Sequence, residues 1–389
     1  MELELELDLD KLRAVRVLGR GAMGVVFLAT DGSFRFALKV FDKRSQTAKP
    51  EADRRARWEI SLLSRLSHPF LPSLLASVET PDLLACALPF CPGGDLNALR
   101  YSLPDRVFST SSILFYISEI VSALAHLHSL SIVYRDLKPE NVLLRADGHV
   151  TLTDFDLSRR LSHKSPSSSS PPRHHHHRRN LTRIFFGPSS SLSSSHNAVH
   201  VLKKAKSARV SPSATCEKSH SFVGTEEYVS PEVVRGEGHE FAVDWWALGI
   251  LAYEMAYGRT PFRGRNRKET FRNVVTRQPE FNGGQRSDLT DLIGKLLAKD
   301  PSRRLGYAGG AEEVKAHAFF NGVRWDLLTE IARPPFLPAV DDLELEDGVM
   351  APGGEWFDIG EYFKLLHQPR QPLPPGPPLA SSVQLLPEF

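Results

Sequence analysis

The run YRDLKPENVLL (134–144) places three polar side chains where a phosphoryl-transfer site would use them. Asp136 could accept the proton of an attacking hydroxyl, and Lys138 could neutralise charge that develops on a transferred phosphoryl group. Asn141 and Asp154, the latter in the following run TLTDFD, offer oxygen ligands that suit Mg²⁺ bound to nucleotide phosphates. Plain hydrophilic loops would leave this spacing unexplained, so the pattern predicts a phosphoryl-transfer site.

Glycines spaced as GxGxxGxV occur at Gly19, Gly21 and Gly24, followed by Val26, between two predicted strands. Glycine lets the backbone approach a phosphate without a side chain in the way. The lysine spacing of a Walker A motif is absent and no helix follows at once, so neither a P-loop nor a Rossmann site fits. An ordinary glycine-rich hairpin remains the alternative to a lid over phosphates.

Lys39 ends the run FALK on the next predicted strand, where it could reach α- and β-phosphates if an acid held it in place. Glu59, on the following predicted helix, is the natural partner. Each residue alone is more typical of a solvated surface charge. Their joint placement favours an ion pair at the site.

The elements that must position these residues follow from hydrophobic patterning. Short β-branched and apolar runs separated by turns predict an antiparallel sheet between residues 14 and 41. Helical spacing predicts helices over 51–66, 112–130 and 241–258, the last ending at Gly258. Strands come early and helices later, which predicts an α+β fold with a small antiparallel-sheet N-lobe and a larger, mainly helical C-lobe.

Charge is distributed unevenly along the 389 residues, although 48 basic and 46 acidic side chains give a formal net charge of only +2. Residues 159–220 hold twelve Lys or Arg against the single acid Glu217, a net +11 that leaves −9 on the remainder. The same segment is rich in serine and histidine and shows little apolar periodicity. It is therefore predicted to be disordered.

Composition excludes several classes of protein. No stretch approaches the ~20 apolar residues that span a bilayer, and the acidic start MELELELDLD lacks the basic and apolar regions of a secretory signal. Cys86, Cys91 and Cys216 form no CxxC pair and are too few to staple a chain of this size. We therefore expect a soluble, intracellular and reduced protein.

Five runs in this order, GRGAMGVV, FALK, YRDLKPEN, DF and SPE, resemble the motifs of eukaryotic protein kinases. HPFLP (68–72), YRD in place of HRD, and FVGTEEYVSPE (222–232) resemble the AGC class of serine/threonine kinases. Asp156 at the third position of the DFG motif, together with the long basic insertion, is typical of the plant AGC VIII group. SARVSP and EEYVSPEV resemble its UNICORN-like branch.

The resemblance implies a bilobal protein-kinase fold with ATP and Mg²⁺ as cofactors. It divides the chain into an N-terminal extension (1–11), a kinase domain (12–320) and a C-terminal tail with a degenerate hydrophobic motif (321–389). The kinase domain consists of an N-lobe (12–88) and a C-lobe (89–320), and the C-lobe contains the basic insertion (159–219).

The resemblance also implies roles for single residues. Catalysis is implied for Lys39, Glu59, Asp136 and Lys138, and metal binding for Asn141 and Asp154. Nucleotide contact is implied for the glycine-rich hairpin, Lys39 and the connection between the lobes: Leu18, Gly19, Arg20, Gly21, Ala22, Met23, Gly24, Val25, Val26, Lys39, Pro89, Cys91 and Asp95. Leu88 would be the gatekeeper, and Pro89 could only accept a hydrogen bond from adenine.

Three acids lie on the substrate side in similar kinases, at Glu140, Glu254 and Asp95. Carboxylates there would attract an arginine upstream of the acceptor through charge-assisted bonds, so we expect a basophilic preference. A helix contact is the alternative role for Glu254. Thr225, together with Lys138, matches the pattern of kinases that act on serine or threonine.

The activation segment carries the remaining implied contacts. Glu232 of SPE would pair with Arg304 and tie the segment to the C-lobe. Ser221 aligns with the activation-loop phosphosite, where an upstream phosphoinositide-dependent-type AGC kinase would add a phosphate that Arg135 receives. Asp156 replaces a glycine that tolerates positive φ. Because Asp also tolerates the left-handed region, we expect catalysis to survive. We also expect the loop around Asp156 to change less readily to the inactive DFG-out conformation.

The tail and the insertion leave several interpretations open. Phe389 in the terminal LPEF could dock on the N-lobe, and WFDIGEYF (356–363) could cross the nucleotide cleft. KKAKSAR (203–209) could be a nuclear signal, and RHHHHRRNLTRIFF could bind anionic lipid. Zinc binding at 174–177 is disfavoured because no second ligand cluster accompanies the four histidines.

Together these features predict a monomeric serine/threonine protein kinase that acts on protein substrates in intracellular growth or developmental signalling. We expect it in the cytoplasm and nucleus, with peripheral plasma-membrane association as an option. The sequence shows no nucleic-acid-binding module. A pseudokinase scaffold is a rival hypothesis, and a basic-segment nucleic-acid or membrane adaptor is another. The pseudokinase is disfavoured because five polar catalytic residues are all present: Lys39, Glu59, Asp136, Asn141 and Asp154.

Overall fold

A computed structural model describes most of both predicted lobes and one segment of the tail. The described residues are 7–9, 12–21, 24–32, 34–44, 50–161, 225–281, 287–330 and 357–367. Most of the basic insertion, Ser221 and the terminal LPEF lie outside them.

The N-lobe is built on a six-stranded antiparallel sheet with the strand order β10-β1-β2-β3-β5-β4. Its strands are β1 (Arg13–Gly21), β2 (Gly24–Thr30), β3 (Arg35–Asp42), β4 (Ala76–Glu79), β5 (Leu83–Pro89) and β10 (Phe357–Asp358). Val26 is in register with Lys39, and Phe27 with Leu38. Because side chains alternate along a strand, the first pair faces one side of the sheet and the second pair the other.

Helix α1 (Pro50–Leu63) lies on the Lys39 side of this sheet. Glu51 and Asp53 occupy its first turn, where negative charge complements the positive end of the helix dipole. The helix was predicted over 51–66 and ends three residues earlier. It presents the buried Glu59 towards β3.

The C-lobe contains the other helices that the structure describes before the tail. They are α2 (Leu96–Ser102), α3 (Thr110–Ser129), α4 (Pro231–Val234), α5 (Ala242–Tyr257), α6 (Arg267–Thr276), α7 (Asp288–Leu296) and α8 (Gly310–Lys315). Short 3₁₀ turns occupy Pro139–Asn141, Pro301–Arg303, Ala318–Phe320 and Leu328–Glu330. Two small antiparallel pairs join β6 (Ile132–Val133) to β9 (Arg159–Arg160) and β7 (Val142–Leu144) to β8 (Val150–Leu152).

Helices α3 and α5 form the centre of the C-lobe core. Contrary to the expectation that no stretch is apolar enough, helix α3 is long and apolar enough to cross a bilayer, but most of its length is buried inside the lobe. Helix α5 buries nearly every residue, including Trp245 and Trp246, which are fully enclosed. It ends at Gly258, whose φ of 69° lies in the left-handed region that glycine adopts without strain. The helix ends where the sequence predicted.

The tail segment packs on the outer face of the N-lobe sheet. Strand β10 pairs with the start of β1, and helix α9 (Ile359–His367) follows it. Ile359 and Phe363 join the apolar cluster around Phe27 and Leu38, on the side opposite Lys39. The expectation that 356–363 crosses the nucleotide cleft was therefore wrong for the described part of that segment. The apolar spacing of a short amphipathic helix determines this packing.

The predicted two-lobed α+β architecture is confirmed. Two predicted boundaries differ. Leu7 and Leu9, assigned to an N-terminal extension, are buried in the N-lobe cluster. At the insertion, Arg159–Arg160 form β9 and Leu161 is buried against Val133. The disorder predicted for the insertion from residue 159 onward does not extend to these three residues.

Candidate active site

The glycine-rich hairpin joins β1 to β2, with Gly19 opposite Val26 and Gly21 opposite Gly24. Gly24 has a φ of +126°, and a Cβ atom there would lie 2.1 Å from the carbonyl oxygen of Val40. Only glycine fits this position. The tip residues Ala22 and Met23 lie outside the described residues.

Not every predicted nucleotide contact in the hairpin points its side chain into the cleft. Val25 is buried in the outer-face cluster, and the guanidinium of Arg20 lies 5.5 Å from the ring centre of Tyr362 in α9. Their side chains face away from Lys39, so these two residues can meet a nucleotide through their backbone only. Leu18 is partly buried in β1 next to Gly19.

Lys39 is held between two carboxylates. Its Nζ atom lies 2.7 Å from Glu59 Oε2 and 2.8 Å from Asp154 Oδ1. Burial alone would lower the pKa of Lys39, but the two carboxylates outweigh it and raise the pKa above its ordinary value. The structure therefore brings together three residues that are far apart in sequence and keeps the amine charged.

Glu59 also fixes the backbone next to Asp154. Its Oε1 atom accepts a hydrogen bond from the Phe155 backbone N–H at 3.1 Å, and Phe155 is fully buried in the C-lobe core. Burial opposes ionisation of Asp154, but the charge of Lys39 outweighs it and holds the pKa of Asp154 below its usual value. Helix α1, strand β3 and the DFD turn thus form one connected unit.

Asp136 lies beside both Lys138 and Asn141. Lys138 Nζ donates to Asp136 Oδ2 at 2.7 Å, and Asn141 Nδ2 donates to the same oxygen at 2.9 Å. Burial raises the pKa of Asp136 above its ordinary value, although these two donors oppose the rise. A carboxylate that is oriented by two donors and has a raised pKa suits the acceptance of a proton from a substrate hydroxyl.

Asn141 and Asp154 fit a divalent metal by their chemistry. The Asn141 amide nitrogen is engaged by Asp136, which leaves its carbonyl oxygen as the group suited to a cation. The Asp154 side chain is 37% exposed although its neighbour Phe155 is buried. Carboxylate and amide oxygens are ligands that hard divalent cations prefer.

The backbone strain expected at Asp156 lies elsewhere. Positive φ values occur at Asp154 (58°) and Arg135 (72°), whereas Asp156 is not in the left-handed region. The expectation that Asp156 replaces glycine at a positive-φ position was therefore wrong. Asp154 carries the constraint itself, and its side-chain type tolerates that conformation.

Asp156 is nearly buried against helix α1. Its Oδ2 atom lies 3.8 Å from the guanidinium of Arg55, and burial followed by the negative charge of Asp154 raises the pKa of Asp156 to about 6. The side chain is thus linked to the same helix that carries Glu59.

The connection between the lobes contains the remaining predicted nucleotide contacts. Leu88 is buried and Pro89 ends β5, opposite Phe36. Burial raises the pKa of the Cys91 thiol to about 11. Asp95, predicted to lie near a ribose, is the N-cap of α2 and accepts from the Ala98 backbone N–H at 2.7 Å.

Asp244 is a residue of the site that sequence reasoning missed. It is fully buried in α5 and accepts hydrogen bonds from the backbone N–H groups of Tyr134 (2.9 Å) and Arg135 (2.8 Å). His128 contacts it at 2.8 Å. Asp244 thereby holds the YRD loop in place. An acid inside the apolar run FAVDWWALG was the available signal.

Glu232 and Arg304 form a buried bidentate ion pair, at 2.7 and 2.9 Å. The Arg304 side chain also donates to the carbonyl oxygens of Ala242 and Ala298. Burial opposes ionisation of Glu232, but Arg304 holds the pKa of Glu232 below its usual value. Helix α4, which carries Glu232 at the end of the activation segment, is thereby fixed to the C-lobe, as predicted for this pair.

The substrate-side residues differ in exposure. Glu140 and Thr225 are exposed, whereas Glu254 is nearly buried. Glu254 accepts from the Tyr228 hydroxyl at 2.6 Å and pairs with Arg100 at 3.2 Å. The helix-contact role left open for Glu254 is therefore present.

Arg135 lies in a positively charged part of the C-lobe. Its Nε atom donates to the Leu157 carbonyl oxygen at 2.6 Å, and burial followed by the like charge of Arg159 lowers the pKa of Arg135 to about 10. Its predicted partner Ser221 lies outside the described residues.

A two-lobed phosphotransferase is the class of protein that this lid, lysine and carboxylate arrangement defines. Residues 12–190 and 204–320 match the family model described as protein kinase domain, so the chain belongs to the protein kinase family.

Several plant kinases are similar to the chain over most of its length. Serine/threonine-protein kinase UCN of Arabidopsis thaliana is 53% identical over 390 residues, covering 95% of this chain and 93% of the relative. Serine/threonine-protein kinase UCNL of the same plant is 51% identical over 389 residues, covering 95% and 92%. Protein kinase PINOID of Oryza sativa subsp. japonica is 42% identical over 340 residues, covering 84% and 69%.

These similarities confirm the predicted class. The chain is a serine/threonine protein kinase of the plant AGC VIII group, it acts on proteins, and it uses ATP with a divalent metal.

Proposed function

We propose that this kinase transfers the γ-phosphoryl group of Mg-ATP to serine or threonine with Lys39 and Asp154 as the centre of its nucleotide site. The observation that supports this most is the position of Lys39 Nζ, within 2.9 Å of oxygens of both Glu59 and Asp154. That geometry keeps a cation and a metal-binding carboxylate side by side where phosphates would be held. Bound Mg-ATP supplies the phosphoryl group and the neutralisation of its charge.

The chain's own residues do the remaining work. Asp136 orients the attacking hydroxyl and accepts its proton at the carboxylate, helped by its raised pKa. Lys138, 2.7 Å away, neutralises negative charge on the transferred group. Asn141 and Asp154 hold the metal through hard oxygens, which favours Mg²⁺ over softer cations.

This assignment is tested by phosphorylation of a basic serine peptide at increasing Mg²⁺ concentration. Asp154→Asn should lose at least about a hundredfold in kcat/KM, because it removes a charged ligand and a partner of Lys39. Asp147→Asn is the matched control, since Asp147 is 44% exposed and its partners, Arg145 and the His149 backbone N–H, are nearby residues of the same turn. Undiminished turnover in Asp154→Asn would contradict the proposal.

The basophilic preference is proposed to depend mainly on Glu140. Its carboxylate is exposed next to the catalytic loop, whereas Glu254 already has Arg100 and Tyr228 as partners. A peptide array should show a gain from arginine upstream of the acceptor. That gain should shrink in Glu140→Gln, and an unchanged array would exclude Glu140 from substrate recognition.

Activation is proposed to require phosphorylation of Ser221 by an upstream phosphoinositide-dependent-type AGC kinase. The partly buried, positively charged Arg135 near Arg159 supports this, because a phosphate would relieve the repulsion between them. Ser221→Ala should lower activity, and addition of the upstream kinase should not restore it. Full activity of Ser221→Ala would refute the proposal.

For cellular context, we propose intracellular growth or developmental signalling by a cytoplasmic and nuclear enzyme. The basic insertion supports a nuclear signal at 203–209 or peripheral contact with anionic lipid at the plasma membrane. Imaging a deletion of 165–210 separates these, since loss of nuclear signal, loss of membrane signal and no change are distinct outcomes.

A further inference from the structure

A second basic region lies within the folded C-lobe, directly after helix α5. Residues 258–281 hold seven Lys or Arg against two acids, although the chain outside 159–220 is acidic overall. All of these residues are described by the structure, so the charge belongs to an ordered surface.

A cavity of about 210 Å³ opens in this region, between the loop that follows α5 and the end of α6. Its charged lining consists of three arginines, Arg259, Arg263 and Arg277, against the single acid Glu280. The hydroxyl-bearing Thr260 lies at its wall and is nearly buried. Guanidinium groups that line a concave site suit an anion with several oxygen acceptors.

The arginines of this cavity are only partly neutralised. Arg263 lies 3.5 Å from Glu227 and is 72% exposed. Arg259 and Arg277 form no ion pair with any residue in the part of the chain that the structure describes. Three guanidinium groups gathered at one cavity repel each other, and a bound dianion would relieve this repulsion.

The cavity is attached to the segment that faces the substrate. Glu227 accepts a hydrogen bond from the Thr260 hydroxyl and pairs with Arg263. Glu227 belongs to the turn closed by the hydrogen bond from Tyr228 N–H to the Thr225 carbonyl oxygen at 2.9 Å. A substrate that reaches Thr225 therefore passes next to this cavity.

We propose that this cavity binds a phosphoserine or phosphothreonine of the protein substrate, at a distance from the acceptor, so that the kinase prefers substrates that already carry a phosphate. The proposal rests on the proposed substrate-side position of Thr225. It favours a protein segment over a lipid surface because Thr260 lies deep in a concave site next to the acceptor segment. The acids near the acceptor still select upstream arginine, since they contact a different part of the substrate.

The test uses the full-length kinase and basic serine peptides that carry a second residue at increasing distance from the acceptor. That residue is serine, aspartate or phosphoserine. At the best distance, phosphoserine should lower KM about tenfold relative to serine and leave kcat unchanged, because each exposed charge-assisted contact adds a modest gain. In Arg259→Gln/Arg277→Gln, this advantage should fall to less than about twofold, while the unphosphorylated peptide is turned over as in wild type. Arg272→Gln is the matched control, as Arg272 lies in the same basic stretch but outside the cavity lining.

Fluorescence anisotropy with the labelled phosphopeptide gives a second measurement that does not depend on turnover. Competition by inorganic phosphate, and by the phosphopeptide at about tenfold lower concentration than by the unphosphorylated peptide, supports the proposal. Absence of any phosphoserine advantage overturns it, as does an equal loss in Arg272→Gln, which would indicate general electrostatics. Stronger binding to phosphatidylserine vesicles than to phosphopeptide, lost in the double variant, would replace it with a membrane contact.

If no peptide is phosphorylated at all, the proposed catalytic assignment fails, whereas failure of the phosphoserine advantage alone leaves that assignment intact.

Discussion

Removing one partner of the Glu232–Arg304 pair should destabilise the C-lobe severely. The Arg304 side chain is 0% exposed and that of Glu232 is 2% exposed. Arg304 makes two hydrogen bonds to Glu232 and two to backbone carbonyl oxygens. Glu232→Gln keeps the size of the side chain but leaves the guanidinium charge without a counter-charge. The expected loss in the free energy of unfolding is about 3–5 kcal/mol.

The magnitude follows from the environment of the pair. An exposed ion pair contributes about 0–1 kcal/mol because water screens it, whereas a buried charge that loses its partner retains most of its desolvation cost. Replacing both residues, as in Glu232→Gln/Arg304→Met, removes the stranded charge. The double variant should therefore lose less than the sum of the two single variants, by about 0.5–3 kcal/mol.

Urea unfolding measured by tryptophan fluorescence suits this test. Trp245 and Trp246 are fully buried, and the Arg304 guanidinium lies 5.2 Å from the Trp246 ring centre. Asp326→Asn is the control, since its pair with Arg324 is about two-thirds exposed, and no measurable change is expected. A loss below about 1 kcal/mol in Glu232→Gln, or strictly additive losses in the double variant, would refute the reasoning.

Three further predictions concern pH dependence and the lid. Glu119, 2.6 Å from His149, raises the pKa of that buried histidine above its ordinary value. The part of the stability loss in His149→Gln that depends on the charge of the histidine should therefore be fully present near pH 6.5 and fade at higher pH, and unfolding midpoints that differ by a constant amount across pH would contradict this. Burial lowers the pKa of Lys299 to about 7, so between about pH 7 and 10.5 the unfolded chain binds more protons than the folded chain. Lys299→Met should therefore raise the melting temperature most at or below pH 7 and less at higher pH. A lower melting temperature of Lys299→Met at pH 7 would show that the contact of Lys299 with the aromatic rings stabilises the fold more than its burial destabilises it. Gly24→Ala should raise KM for ATP and lower the free energy of unfolding by about 1–3 kcal/mol, because the new Cβ atom meets Val40 and the position has a positive φ. Unchanged ATP kinetics would exclude a role for this turn in nucleotide binding.

Much of the site could be predicted because its chemistry is local in sequence. Asp136, Lys138 and Asn141 lie within one short run, and the structure joins them within 2.9 Å. Lys39 and Glu59 were paired on their separate positions, one on a strand and one on the next helix, and lie 2.7 Å apart. In both cases the spacing restricts the side chains to one face or one turn.

Other features depend on packing that no short pattern shows. The positive φ lies at Asp154 and not at Asp156, next to the Phe155 N–H that donates to the distant Glu59. Asp244 acts through backbone N–H groups more than a hundred residues away in sequence. The tail helix binds the outer sheet face through Phe363, which depends on where β10 pairs.

Transfer of radiolabelled γ-phosphate from ATP to a serine peptide by wild type and Asp136→Asn tests the central claim most directly. Asp136 touches only Lys138 and Asn141 among the proposed catalytic side chains, so the variant should still bind nucleotide, which a fluorescent ATP analogue would show. We predict that label transfer falls by at least about a hundredfold while nucleotide affinity changes little. Transfer at the wild-type rate in Asp136→Asn would contradict the account.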